Sequence, residues 1–286
     1  MSVRTLQSVI ESIPASDGAG VKLRRSIGSR QHLRVDPFLM LDEFFSDDPN
    51  DYLAGFPAHP HRGFETVTYM LDGHMQHQDH LGNRGDLSPG SVQWMTAGRG
   101  IIHSEMPQQK EGRMRGFQLW INLPGKEKMK PASYRDIPPE AIPETTLPHG
   151  GRVKVIAGAF GEDGARTLGP VQGATTDPIY LDVALPANAE ISLPVPAEHN
   201  AFVYPYEGAL RIGPADSETP LATRNAGVLG RGDRFRAVAG HAGVRFLLLA
   251  AKPIGEPVVQ YGPFVMNTRE EIEQALQDFQ SGRFAS

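Results

Sequence analysis

An all-β protein of two tandem barrels, finished by a short C-terminal helix, is the architecture this sequence predicts. Three observations carry that expectation. Runs such as Thr66-Val67-Thr68-Tyr69-Met70-Leu71 alternate apolar and polar residues, the period-two pattern of a strand with side chains on opposite faces. The 31 glycines and 24 prolines are spread along the chain, as suits many short strands joined by turns. Two blocks of such strands recur on either side of a proline-rich stretch, and 286 residues are enough for two domains. The expected division is a first barrel over 1–135, a linker over 136–152 and a second barrel over 153–286, with the helix at about 268–281.

Composition narrows the function classes. The 28 basic and 33 acidic side chains leave a net charge of −5, which argues against direct nucleic-acid binding or an anionic membrane surface. Cysteine is absent, so disulfides, thiolate ligands and a thiol nucleophile are excluded. The first residues lack the apolar core of a signal peptide. The best apolar run, Phe246 to Ala251, is too short to span a bilayer. A cytoplasmic location is expected.

Residues 3–58 read as short strands and loops, with a strand and turn at Leu23-Arg24-Arg25-Ser26-Ile27-Gly28. Phe44 and Phe45 suit core packing better than a pocket mouth.

The next stretch carries chemistry. It opens with His59-Pro60-His61-Arg62-Gly63-Phe64-Glu65 and closes with Gly98-Arg99-Gly100-Ile101-Ile102-His103-Ser104-Glu105. On strands, His59, His61 and Glu65 share one face, as do His103 and Glu105. Two such pairs can converge inside a small barrel, and imidazole with carboxylate suits iron, copper, nickel, zinc or manganese. By spacing, Glu65 and Glu105 are both eligible as the carboxylate ligand. Between them, His74, His77 and His80 lie in a polar stretch and are expected to be solvated or loop-bonded. Arg99 suits an anionic ligand or solvent equally.

Arg115 to Leu123 alternates again. Phe117, Leu119, Ile121 and Leu123 are expected to face a core and, with Val67, Tyr69 and Leu71, to wall a pocket for a flat aromatic ligand. Pro131, Pro138, Pro139, Pro143 and Pro148 then mark the linker. The second block has strand patterns at Val153–Ala157, Ile179–Leu185, Ala189–Leu193, Ala201–Tyr204, Ala209–Ile212 and Val244–Ala250. It is poor in ligands. With His199 laid on His59, the second histidine position falls on Ala201 and the carboxylate position on Pro205, and His241 stands alone. The expected result is a barrel without metal; a site joining these histidines to Asp233 or Glu207 is the weaker alternative. Near the end, Thr268-Arg269-Glu270-Glu271 forms a capping box. Ile272, Ala275, Leu276 and Phe279 make one helical stripe, and Gly282 ends it. Gly-rich phosphate loops, Ser/His/Asp signatures and helix-turn-helix patterns are absent from the sequence.

The His59–Thr66 motif and the run Gln93-Trp94-Met95-Thr96-Ala97-Gly98-Arg99-Gly100, ending at Ile102-His103-Ser104-Glu105-Met106-Pro107, resemble the pirins, a branch of the cupin superfamily. Asp36–Phe44 and Gly262–Thr268 extend the resemblance over almost the whole chain. It implies two tandem cupin barrels. It also implies one divalent metal, Fe(II) by preference over Zn, Mn, Ni or Cu, held by His59, His61, His103 and Glu105, with Glu65 an inner neighbour. Three neutral imidazoles and one carboxylate leave such an ion a net charge of about +1 and, if octahedral, open positions for a chelating oxygen ligand and dioxygen. Some pirins resemble quercetin 2,3-dioxygenases, which open the central ring of a flavonol with loss of carbon monoxide. Glu105, or Glu65 if free, would take the proton of the chelating hydroxyl. Other pirins are metal-dependent regulators, acting as transcription cofactors or on metabolic enzymes, with a protein partner and no turnover.

Overall fold

The computed structural model describes residues 2–284 apart from 163 and 165. Among the described residues strands dominate, and the one α-helix is Arg269–Gln280. Contacts divide the chain into two units: Met1–Ser12, Ser29–Pro37 and Glu140–Pro253 form one, and Ile13–Gly28, Phe38–Pro139 and Ile254–Ser286 form the other. This grouping differs from the expected 1–135 and 153–286. The segment Leu6–Glu11 pairs with Asn225–Leu229, and the C-terminal helix packs on Val259–Tyr261 and Phe264–Met266. Hydrophobic periodicity reports the state of a segment but not its partner, so these long-range pairings were not legible locally. The expected linker is partly strand: Ser133–Ile137 pairs with Val92–Thr96, and Glu144–Thr146 with Arg152–Ala157.

In the unit holding the first histidine motif, a seven-stranded antiparallel sheet carries Phe38–Ser46, Phe64–Asp72 and Met114–Asn122 at its centre. A four-stranded sheet carries Phe56–His61, Ile101–Pro107, Met75–Asp79 and Arg84–Leu87 in that order. Phe44, Met70 and Met114 of the first sheet meet Met75 and Leu87 of the second in one apolar cluster. The arrangement is therefore a two-sheet sandwich with open edges and not a closed barrel. Its central strands are buried on both faces: Val67, Phe117 and Leu119 are fully buried, and so is Thr68 across the pleat. Such strands lose the simple apolar-in, polar-out pattern of a one-sided sheet.

The other unit is built on two long strands, Asn200–Ile212 and Arg234–Ala251. The expected segments at Ala201–Tyr204 and Ala209–Ile212 are halves of one strand, bent between them. Two register shifts accompany the bend, at Pro205/Glu207 and Gly208/Leu210. Gly208 has φ +70°, and a Cβ there would collide with the Gly243 carbonyl, so only glycine fits where the paired strands fold over. Leu181, Val183, Leu193, Val203, Phe235 and Phe246 fill the core.

The helix follows its sequence signals. Thr268 accepts the Glu271 amide at 3.2 Å, and the Glu271 carboxylate accepts the Thr268 amide at 3.0 Å. Ile272 and Ala275 bury against Phe264, Met266 and Phe284. Among the described residues no helix is long and apolar enough to cross a membrane.

Candidate metal centre

Strand pairing assembles the histidines. Phe56–His61 runs antiparallel to Ile101–Pro107, which sets Ile101 opposite His61 and His103 opposite His59. Directly opposed residues share a face, so the two motifs meet. The ring centroids of His59 lie 4.7 Å from His61 and 4.4 Å from His103, and those of His61 and His103 are 4.9 Å apart. The three residues offer ligand atoms all within 4.8 Å of one another. Past His103 the register shifts by a bulge, which sets Glu105 opposite Phe56.

The turn after His61 is held from behind. Gly63 has φ +92°, and a Cβ there would strike the Val265 carbonyl. The Arg62 guanidinium is buried on the far side of the strand. It donates to Asp278 Oδ2 at 2.8 Å, to the Phe284 carbonyl at 3.3 Å and to the Arg99 carbonyl, and lies 4.4 Å above the Phe284 ring. Lys128 Nζ donates to the carbonyls of Gly63 and Val265 and to Asn122 Oδ1. These contacts bring Gly262 and Pro263 to the rim of the site.

A cavity of about 560 Å³ opens on the cluster, with His59, His61, Glu105, Thr68, Gln118, Trp120, Met40 and Phe56 among its lining. The volume suits a drug-sized organic ligand. The strands alternate as expected, but the wall is the opposite face from the one expected. Thr68, Gln118 and Trp120 line the cavity, whereas Val67 and Tyr69 turn away with Phe117 and Leu119, and the Tyr69 and Phe117 rings stack at 6.4 Å. Phe44 packs in the core and also touches the cavity.

The two glutamates part company. Glu105 lines the cavity, and its Oε1 accepts the Thr68 hydroxyl at 2.9 Å. It stands outside the three-histidine cluster. Glu65 is not among the cavity-lining residues; its Oε1 accepts the Thr96 hydroxyl at 2.7 Å.

The model of the pirin family matches residues 20–121, and the model of the pirin C-terminal cupin domain matches residues 180–285. The chain belongs to the pirin family. This pirin is 56% identical, over 95% of each chain, to a Pseudomonas aeruginosa protein provisionally named a quercetin 2,3-dioxygenase. It is 50% identical to a pirin-like protein of Caulobacter vibrioides, over 99% of this chain and 100% of that one. A solved structure of quercetin 2,3-dioxygenase from Acinetobacter baumannii superposes with a TM-score of 0.88 at 33% identity, covering 100% of this chain and 99% of that one.

The donor set of this pirin fits a divalent metal. Burial holds His61 well below the ordinary histidine pKa, with His59 adding to the effect and the Pro263 carbonyl opposing it. Burial does the same to His103, aided by its three histidine neighbours. Both rings are therefore neutral near pH 7, the form that ligates. His59 Nδ1 lies 2.8 Å from the Pro57 carbonyl, which fixes the proton there and leaves a lone pair on Nε2, 3.0 Å from His61 Nε2. His103 Nε2 is buried without a hydrogen-bond partner, an expensive condition that a bound ion relieves.

His77 was misread. It is fully buried on Met75–Asp79, with its Nδ1 3.2 Å from that of His103. The polar run around it is a strand whose alternate residues Met75, His77 and Asp79 point inward; that parity was the available signal. His80 is exposed and accepts the Ile102 amide, and His74 is half-buried beside Asp86. Arg99 is exposed. In the other unit His199 is buried 3.7 Å from Asp177, His241 is exposed, and the described residues hold no second cluster of three metal-ligating groups.

Proposed function

We propose that this pirin is a metal-dependent dioxygenase that opens the central ring of a flavonol with O2 and releases carbon monoxide. The supporting observation is the cavity: one space borders the histidine cluster, a buried carboxylate and a wall that mixes apolar side chains such as Trp120, Met40 and Phe56 with polar ones such as Thr68 and Gln118. A flavonol presents a flat aromatic body and an enolic hydroxyl beside a ketone, so it matches wall and metal together. The ligands are His59, His61, His103 and Glu105, and Fe(II) is the metal of choice over Zn, Mn, Ni or Cu. Once bound, the metal supplies Lewis acidity to the chelating oxygens and a site for dioxygen.

The chain's own residues do the rest. Glu105 accepts the enolic proton. Thr68 holds Glu105 Oε1, and Gln118 lies 2.6 Å from the same hydroxyl. A hydroxyl has one proton. With that proton given to Glu105, Gln118 must turn its amide NH2 towards Thr68, which completes a chain from Gln118 through Thr68 to Glu105. Trp120, Met40 and Phe56 flank the aromatic body. Glu65, engaged with Thr96 away from the cavity, takes no part.

The test is optical. Quercetin added anaerobically to the iron-loaded protein should shift its absorption to longer wavelength as the hydroxyl deprotonates. Oxygen should then bleach the band and release carbon monoxide, with His103→Ala inert. A protein that retains iron, binds no flavonol and consumes no oxygen would overturn the reading in favour of a metal-dependent regulatory pirin.

A further inference from the structure

His77 stands directly behind the histidine cluster, and its contacts give it a task. It lies opposite Glu105 in the pairing of Met75–Asp79 with Ile101–Pro107. Its Nδ1 is 3.2 Å from His103 Nδ1, with the ring planes inclined by 50°. Two ring nitrogens at that distance share one proton, and a neutral imidazole has one donor and one acceptor. Ligation decides the direction. His103 Nε2 is buried without a hydrogen-bond partner, and so is His77 Nε2, which carries the His77 proton when His77 Nδ1 accepts. For it to ligate, its lone pair must be free and the His103 proton must sit on Nδ1. His103 is then the donor and His77 the acceptor. The opposite arrangement puts a proton on His103 Nε2 and blocks the metal.

We propose that His77 is a positioning residue that holds His103 in its Nδ1–H tautomer and so presents Nε2 to the metal. The inference rests on the metal site proposed above. Ligating histidines are usually backed by a carboxylate, a backbone carbonyl or water, and His59 follows that habit with the Pro57 carbonyl. His103 is backed by a second imidazole. A neutral acceptor fixes the tautomer without placing another negative charge behind the ligand. The Tyr134 ring, stacked at 5.2 Å and inclined by 30°, stops His77 from turning away. Asp79 anchors the following turn by accepting the amides of Leu81 and Asn83. The acceptor is thus held rigidly on the strand next to the ligand it serves.

The test separates hydrogen bonding from packing. His77→Phe keeps an aromatic ring against Tyr134 and removes the acceptor; His77→Asn restores an acceptor near the place of Nδ1. Long-range proton–nitrogen NMR of the metal-free protein should find His103 as the Nδ1–H tautomer in wild type and His77→Asn, and displaced towards Nε2–H in His77→Phe. Competition with a chelator should show metal affinity falling roughly 10–100-fold in His77→Phe and largely recovering in His77→Asn. Unchanged tautomer and affinity in His77→Phe would overturn the proposal. Equal loss in both variants with an unchanged tautomer would also overturn it, by assigning His77 to packing alone. A wild-type protein that binds no metal yet shows the Nδ1–H form would sink the metal reading instead and leave the His77–His103 hydrogen bond standing.

Discussion

Glu105 and Glu65 are both buried carboxylates, but they answer to different neighbours. Glu105 faces the cavity with one oxygen held by Thr68. Burial raises the pKa of Glu65, against the Thr96 hydroxyl, Lys130 and Trp94. Parity along each strand made both eligible; cross-strand register put Glu105 on the cavity face and turned Glu65 towards Thr96. Glu105→Gln should therefore weaken metal retention on the order of 10–100-fold, while Glu65→Gln should change it by no more than about 3-fold. Chelator competition on the purified variants checks this, and the reverse order would return the ligand role to Glu65. His59, His61 and His103 were legible because they fall in two short motifs at one-residue spacing. His77 was not, since its burial depends on Tyr134 and His103, neither of which its local sequence names.

At the scale of elements, the site is held by the packing of Phe264–Met266 and the C-terminal helix on its rear. Lys128 is the staple, joining the turn at Gly63, the strand end at Asn122 and the segment at Val265. Burial lowers its pKa from 10.5 to about 8, with Glu256 and Glu271 opposing. Between those values the unfolded chain binds more protons at this residue than the folded chain, so its contribution makes stability rise with pH across that window. Below about pH 8 the cost of burying the ammonium is felt in full. The stability of wild type relative to Lys128→Met should rise between pH 8 and 10.5, by on the order of 3 kcal/mol. Urea unfolding at a series of pH values measures it; a flat difference would show that the ammonium keeps its hydration. The capping box at Thr268 was readable because both partners lie within one turn.

For the whole molecule, the described residues of the second unit hold no cluster of three metal-ligating groups. Ala201 and Pro205, at the ligand positions, are buried in the second unit, and the His199 ring stands 3.7 Å from Asp177. A divalent ion normally needs three or four protein ligands. The intact chain should bind one metal. His199→Ala should leave that number unchanged, and the combined His59→Ala, His61→Ala and His103→Ala variant should bind none. Elemental analysis after dialysis decides; one retained metal in the triple variant would place a site in the second unit.

The sequence by itself determined the strand-rich class, the two blocks, the capped helix and the three converging histidines, because each is written in residues close together in the chain. Tertiary structure decided what depends on distant partners. It assigned the first strand to the second block and the last helix to the first. It set Thr68, Gln118 and Trp120 on the cavity wall in place of Val67 and Phe117, because the central sheet is buried on both faces and alternation cannot say which buried face is hollow. It also gave His103 a fourth histidine as its backing, a contact between adjacent strands that no short window of sequence contains.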